Sequence, residues 1–206
     1  MTYQTILLDF DDTIVDFYDA EEKAFYNMAK HFNHYPTKDD FYHFREVNQS
    51  HWEAFQKNKL TKEEVLTQRF VNYFKDYQIE VNGKLADHIF RDELAKATPK
   101  FFDDTLETIE DLRKNHNIYI VTNGVTETQQ RRIAQTTFNE TLNGIYISEQ
   151  TGYQKPMPEF FDYIFKEIGE QHRESAIIVG DSLTSDILGG YNAQIATCWF
   201  NLRGKE

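Results

Sequence analysis

The chain is predicted to adopt an α/β fold on a parallel sheet, interrupted by a helical insertion. Three observations predict this. Short apolar runs end abruptly on acidic or hydroxyl residues, helix-period stretches separate them, and one long interval carries no strand signal. The first run, Thr5–Leu8, is closed by Asp9, and its brevity suits a buried parallel strand. Similar runs follow at 118–121, closed by Thr122, and at 176–179, closed by Gly180 and Asp181. Weaker ones lie at 145–147 and 195–200. Residues 105–114 and Pro158–Ile168 have helical period, and Asp104 with Glu107 form an N-cap and N3 pair of the capping-box type.

The interval 17–97 reads as helix throughout. Ala20, Ala24, Phe25, Met28 and Phe32 line one face, and Phe41, Phe44, Val47 and Phe55 line the next. Val65, Phe70 and Phe74 continue the pattern, followed by Leu85, Ile89 and Leu94. Breaks at Tyr35-Pro36, Lys59-Leu60-Thr61 and Asn82-Gly83 divide it into four helices. Residues 1–16 and 98–206 are then the core domain, with 17–97 as a lobe expected over the carboxyl edge of the sheet. A chain of 206 residues suits one domain with a smaller one inserted.

Twenty-two basic against 34 acidic residues give a net charge of −12, which argues against duplex nucleic acid and membranes as partners. A small anion can still bind where a metal or a local cation reverses the field. Cys198 is the one cysteine, so there is no intrachain disulfide, and its apolar run predicts a buried core thiol. The N-terminus lacks a basic region followed by an apolar stretch, and no segment approaches the ~20 apolar residues of a membrane span. A cytoplasmic protein, monomer or homodimer, is the expectation.

The strand ends carry the chemistry. Asp9 and Asp11 place two carboxylates just past a buried strand, where like charges raise a pKa or require a cation between them. Asp181 closes another strand and Asp186 opens a helix. Four carboxylates at one sheet edge describe an oxygen-ligand site for a hard cation, Mg²⁺. Beside such an ion a carboxylate can attack phosphorus, and a second one can protonate the leaving alkoxide and then deprotonate water. Thr122, with Asn123-Gly124 behind it, offers a hydroxyl and backbone N–H groups to a phosphoryl group, and Lys155 offers an ammonium.

The ordered set Asp9-x-Asp11-x-Thr13, Thr122-Asn123-Gly124, Lys155-Pro156 and Gly180-Asp181-Ser182-x-x-x-Asp186 resembles the four motifs of the haloacid dehalogenase superfamily. Val47-Asn48-x-x-x-Trp52, Ser148-Glu149-x-x-Gly152, Ser185-Asp186-Ile187-Leu188-Gly189-Gly190-x-Asn192-Ala193 and the closing Ala196-Thr197-Cys198-Trp199-Phe200-Asn201 narrow the likeness. Together they resemble the bacterial house-cleaning pyrimidine 5′-nucleotidases. The resemblance implies a Rossmann-like parallel-sheet core, an inserted all-helical cap of type 1, and a nucleoside monophosphate as substrate. It implies Asp9 as nucleophile and metal ligand, and Asp11 as acid/base with its carbonyl on Mg²⁺. Thr122, Asn123 and Lys155 would bind phosphate, and Asp181 would ligate the metal. Asp186 would act through water or by orienting Lys155, while Asp12 and Thr13 would be turn residues. Members of that family continue for about twenty residues beyond the Cys-Trp-x-Asn strand, whereas this sequence ends at Glu206. That departure touches the sheet edge and its stability, and the four motifs lie upstream of it.

Asn48, Trp52 and Gln56 fall at i, i+4 and i+8 and so share a helix face that could read a nucleobase, or simply pack. Three rival functions remain. Dehalogenases need no metal and lack the second carboxylate, so Asp11 argues against that one. A phosphatase or phosphomutase acting on a small sugar phosphate is not excluded by anything in the motifs. A non-catalytic module binding phosphate or Mg²⁺ fits the retained catalytic set poorly.

Overall fold

Alternation along strand β1 (Thr5–Leu8) sends Ile6 and Leu8 into one apolar cluster and Leu7 into another. Both faces are covered, which is why the strand reads as an unbroken apolar run. The computed structural model describes residues 3–202 and 204. Four more strands follow: β2 (Asn117–Thr122), β3 (Gly144–Ile147), β4 (Ala176–Gly180) and β5 (Ala196–Trp199). All pair in parallel, in the order β3-β2-β1-β4-β5. The order reverses at β1, so the loops leaving β1, β2 and β4 meet at the switch point of the sheet. Leu8 is in register with both Ile120 and Val179, and the Asp9 N–H still donates to the Val179 carbonyl at 3.0 Å.

Helices cover the two faces. On one side Ile109 of α5 (Thr105–Leu112), Ile133 of α6 (Thr126–Ile133) and Phe138 of α7 (Phe138–Thr141) pack with Ile6, Leu8, Ile118 and Ile120. On the other, Phe160, Phe161, Ile164 and Phe165 of α9 (Pro158–Ile168) pack with Leu7, Val121 and Ile178. Short helices α8 (Ser148–Thr151) and α10 (Leu188–Asn192) complete this unit, with a 3-10 turn at Glu170–Ser175 and a π turn at Leu183–Ile187. The chain divides into two compact units, Met1–Phe17 with Pro99–Glu206, and Tyr18–Thr98. At the junction the two connections run side by side. Val15 bridges Phe101 in antiparallel fashion, and the Asp16 N–H donates to the Lys100 carbonyl at 2.7 Å.

The helical unit contains α1 (Phe17–His31) from Tyr18 onward, α2 (Lys38–Gln56), α3 (Lys62–Asp76) and α4 (Gly83–Lys96). Its core is aromatic: Phe25 stacks on Phe44 at 4.7 Å, and Phe44, Phe70 and Phe90 lie 5.3–5.7 Å apart. Capping boxes open α2 at Thr37 and Asp40 and α3 at Thr61 and Glu64. No helix among the described residues is long and apolar enough to cross a membrane.

Three expectations are corrected. Asp104 does not cap α5: it is left-handed, with φ 61°, and its side chain makes no cap hydrogen bond. A side-chain cap needs an extended backbone at that residue. The buried face of α4 runs through Gly83, Ala86, Phe90 and Leu94, while Leu85 is exposed. Close approach of α3 sets that phase, since a Cβ on Gly83 would sit 2.5 Å from the Thr67 carbonyl oxygen. Cys198 is exposed: it lies on edge strand β5 and lines an open apolar groove with Phe102, Ile177, Val179 and Phe200. An edge strand has a neighbour on one side only, so an apolar run there does not guarantee burial.

Candidate active site

Lys155 is the hub. Its ammonium donates to Asp9 Oδ1 at 2.7 Å, Asp186 Oδ1 at 2.7 Å and the Val121 carbonyl at 2.8 Å, and the side chain is 1 % exposed. Three acceptors match the three N–H bonds of an ammonium, which a planar guanidinium could not satisfy in this arrangement. Asp9 follows β1, Val121 lies within β2 and Asp186 sits on the π turn after β4, so three adjacent strands aim at one nitrogen. Gly180 makes room for Asp186: a Cβ there would fall 2.2 Å from the Asp186 carboxyl carbon. The Ser182 N–H donates to Asp186 Oδ2 at 3.1 Å, and the Trp199 indole holds the Asp181 carbonyl at 3.0 Å.

Carboxylate oxygens of Asp9, Asp181 and Asp186 come within 4.8 Å of one another. An all-oxygen set of this kind suits a hard divalent cation. Burial pushes the Asp9 carboxyl well above the usual carboxylate range; Lys155 opposes this, and the Asp186 and Asp181 charges add to it. Burial also works against the Lys155 ammonium, but the Asp186 and Asp9 carboxylates outweigh it, and its pKa is raised. Lys155 is therefore charged across the physiological range, and one cation faces three carboxylates. Such an excess of negative charge is relieved by a bound metal ion.

Asn123 holds the main chain of Lys155. Its Oδ1 accepts from the Lys155 N–H at 3.0 Å, and its Nδ2 donates to the Lys155 carbonyl at 2.8 Å. Its side chain is thus committed to positioning the lysine's main chain. The Gly124 N–H, expected to be available to phosphate, donates instead to Thr122 Oγ1 at 3.1 Å. Thr122 ends β2, 2 % exposed. Asp12 takes the turn role expected of it, with φ 57° and its Oδ1 accepting from the Phe17 N–H at 3.2 Å.

Two residues of α6 escaped the sequence reading. Arg132 Nη1 donates to Asp11 Oδ1 at 2.6 Å, and Gln129 Nε2 donates to Asp11 Oδ2 at 2.9 Å. Both are buried. Helix α6, TETQQRRI, is polar at every position but Ile133, so periodicity offers little means of telling which residues point inward. Glu149 explains part of the Ser148-Glu149 motif: its Oε2 accepts from the Thr126 N–H at 2.7 Å and ties down the start of this helix.

The face proposed to read a base is largely committed elsewhere. Asn48 is buried, its Nδ2 donating to Glu21 Oε1 at 2.8 Å and its Oδ1 accepting from Arg69 Nη1 at 2.9 Å. Arg69 also donates to Asp87 Oδ1 at 2.7 Å, so Asn48 belongs to a network linking α1, α2, α3 and α4. Trp52 is half-buried, edge-on to Phe55, with Lys62 and Arg69 at 5.1 and 5.9 Å from its ring, and Gln56 is half-buried. Asn48→Ala is expected to cost about 1–3 kcal/mol by stranding buried charged partners, lowering Tm by roughly 2–4 °C per kcal/mol. Its kinetic effect should be equal on a pyrimidine monophosphate and a small aryl phosphate. A KM increase confined to the nucleotide would restore the base-reading role.

The haloacid dehalogenase-like hydrolase family matches residues 6–200. The chain is 39% identical to HAD-hydrolase YfnB of Bacillus subtilis over 97% of this chain and 84% of that protein. It is 31% identical to pyrimidine 5′-nucleotidase PynA of Streptococcus pneumoniae, over 98% and 85% of the two chains. It is equally similar to pyrimidine 5′-nucleotidase YjjG of Escherichia coli, over 100% and 89%. The crystal structure of Bacillus subtilis YfnB bound to magnesium superposes with a TM-score of 0.93 at 38% identity, covering 100% of this chain and 90% of that one. With a parallel sheet that delivers two aspartates, a lysine and a further acidic pair to one edge, and with likeness along its whole length, this chain belongs to the haloacid dehalogenase-like hydrolases.

Proposed function

We propose that this chain is a Mg²⁺-dependent phosphomonoesterase that works through an aspartyl-phosphate on Asp9, with nucleoside monophosphates, pyrimidine ones foremost, as substrates. The observation that carries the chemistry is Asp9 pinned by the buried Lys155 beside Asp181 and Asp186. The likeness to PynA and YjjG along nearly the whole chain supports the substrate class.

Lys155 fixes one oxygen of Asp9 and so aims the carboxylate. An Asp9 oxygen attacks phosphorus, the bond from phosphorus to the ester oxygen breaks, and Asp11 gives that leaving oxygen a proton. Asp11 then takes a proton from water, whose oxygen attacks phosphorus. The bond between Asp9 and phosphorus breaks, releasing phosphate and restoring Asp9. Asp9, Asp181 and the Asp11 backbone carbonyl would hold Mg²⁺, which when bound draws charge from the phosphoryl oxygens. Thr122 offers its hydroxyl to those oxygens, and Asp186 holds Lys155.

Phosphate release from a panel of pyrimidine and purine monophosphates, sugar phosphates and an aryl phosphate, each with Mg²⁺ or excess EDTA, tests this reading. Mg²⁺-dependent release is expected, with kcat/KM highest for pyrimidine monophosphates by about tenfold or more, a margin of the size that pocket contacts supply. No release from any ester would overturn the chemistry. Conversion of a sugar phosphate to its isomer without phosphate release would replace the hydrolase with a phosphomutase. Asp11→Asn should lose most activity on alkyl phosphates, whose leaving group needs a proton, and less on an aryl phosphate. Equal losses would remove Asp11 from the acid/base role.

A further inference from the structure

The acid/base candidate Asp11 is gripped by a pair of side chains that the mechanism above does not use. Arg132 Nη1 donates both to Asp11 Oδ1 at 2.6 Å and to Gln129 Oε1 at 2.9 Å. The two N–H bonds of Gln129 Nε2 divide between Asp11 Oδ2 and Thr122 Oγ1, each at 2.9 Å. Charge fixes this pattern in one sense. A reversed amide would turn its NH₂ toward the guanidinium and its oxygen toward the carboxylate, two repulsions in place of two attractions. Thr122 Oγ1 also accepts from the Gly124 N–H, so both acceptor positions of that hydroxyl are filled and its own proton is left to donate.

The surroundings hold this pair rigidly. Gln129 and Arg132 are each 2 % exposed, whereas the Asp11 side chain is 28 % exposed, so the anchored partners are inside and the reacting group faces out. The Arg132 guanidinium lies 5.1 Å from the ring centres of both Phe10 and Phe17. Gly124 allows Gln129 to fold back onto the loop, because a Cβ there would come within 2.5 Å of Gln129 Cγ. Glu149 secures the first turn of the helix that carries both residues. Burying an arginine and a glutamine together is costly where apolar side chains would fill the same space, and the orientation of Asp11 and Thr122 is what the arrangement obtains in return.

We propose that Gln129 and Arg132 are positioning residues that lock the Asp11 carboxylate and the Thr122 hydroxyl in a fixed mutual geometry, so that proton delivery to the leaving oxygen occurs beside the bound phosphoryl group. The inference rests on the reading of Asp11 as the acid/base. Proton transfer requires hydrogen-bond reach, and a displacement of the carboxylate is felt most where the leaving group most needs a proton.

The test is kcat/KM with Mg²⁺ for an alkyl and an aryl phosphate in the wild type, Asp11→Asn, Gln129→Leu, Gln129→Glu, Arg132→Met and Arg132→Lys. Gln129→Leu keeps the volume and removes every polar contact, which keeps the test alive where Arg132→Met does not fold. The expected result is a fall of about tenfold or more in the alkyl-to-aryl ratio for Gln129→Leu and Arg132→Met, with part of it recovered in Arg132→Lys. A purely structural role would lower both substrates by one factor, and that outcome, or no change in either, overturns the proposal. If Asp11→Asn itself shows no leaving-group dependence, the acid/base reading falls and the proposal falls with it. If Asp11→Asn shows that dependence and the Gln129 and Arg132 variants do not, the positioning proposal alone is lost.

Discussion

Asp9→Asn is expected to lower kcat by about 10³-fold or more, in line with other nucleophile deletions, while leaving the protein folded. The amide retains an oxygen for the Lys155 ammonium, now 2.7 Å away, but it has no anionic oxygen with which to form an acyl phosphate. Stability should move in the opposite direction. The Asp9 carboxyl titrates above its usual range because of burial and, despite Lys155, because Asp186 and Asp181 lie close by. A folded-state pKa above the unfolded one means that the ionised form costs folding free energy at neutral pH, a cost that shrinks as pH falls below the folded pKa and is gone below the unfolded one. Metal-free Asp9→Asn should therefore melt above the metal-free wild type at pH 7, by about 2–4 °C per kcal/mol relieved. The difference should close in acid. Saturating Mg²⁺ should raise the wild-type Tm, by about 2.7 kcal/mol of stabilisation at a hundredfold excess over Kd. Calorimetry with and without EDTA, alongside phosphate release, measures all three. Full activity in the Asn variant, or in the wild type stripped of metal, would exclude the mechanism.

Lys155→Ala should cost about 2–4 kcal/mol of transition-state stabilisation, roughly 30- to 1000-fold in kcat/KM. The loss has two parts on this geometry. Asp9, Asp181 and Asp186 keep their mutual repulsion with no cation among them, and Asp9 loses the contact that aims it. Lys155→Arg should recover only part of the activity. A planar fork cannot direct three donors at Asp9, Asp186 and the Val121 carbonyl from one centre, and a bulkier head group would have to fit where the native side chain is only 1 % exposed. Because the two carboxylates more than offset burial, the lysine stays protonated, and the wild-type rate should show no limb from its ionisation near neutrality. A Lys155→Ala variant with wild-type kcat/KM would reduce this residue to a structural ion pair.

The strands were legible because a parallel strand covered on both faces has no polar residue to hide. Thr5–Leu8 is found where its apolar run lies, and Pro158–Ile168 is found with both bounds as read. The helix breaks at Tyr35-Pro36 and Lys59-Leu60-Thr61 fall between helices, and at Asn82-Gly83 the asparagine caps α4 while Gly83 opens it, since proline, glycine and capping residues act locally. The acid pair at Asp104 and Glu107 resembled a cap, but the true boxes are at Thr37 and Thr61. Composition alone cannot tell which backbone conformation an aspartate adopts.

By itself the sequence determined the parallel α/β core, the inserted helices, and the ordered acids and lysine that the strand ends bring together. The core, the insert and the acids follow from short-range rules of burial, strand closure and charge, and the lysine is singled out by its place in the ordered motifs. Only the tertiary structure decided how those groups are used. It assigned Asn123 to the Lys155 main chain and Asn48 to a buried network, and exposed Cys198 on an edge strand. It also brought Gln129 and Arg132 onto Asp11 from residues 118 and 121 positions away along the chain. For the four polar side chains, Asn123, Asn48, Gln129 and Arg132, the physical reason is the same. A polar side chain can bond in many directions, and its partner is chosen by which backbone and which charge the completed fold places within 3 Å or so of it.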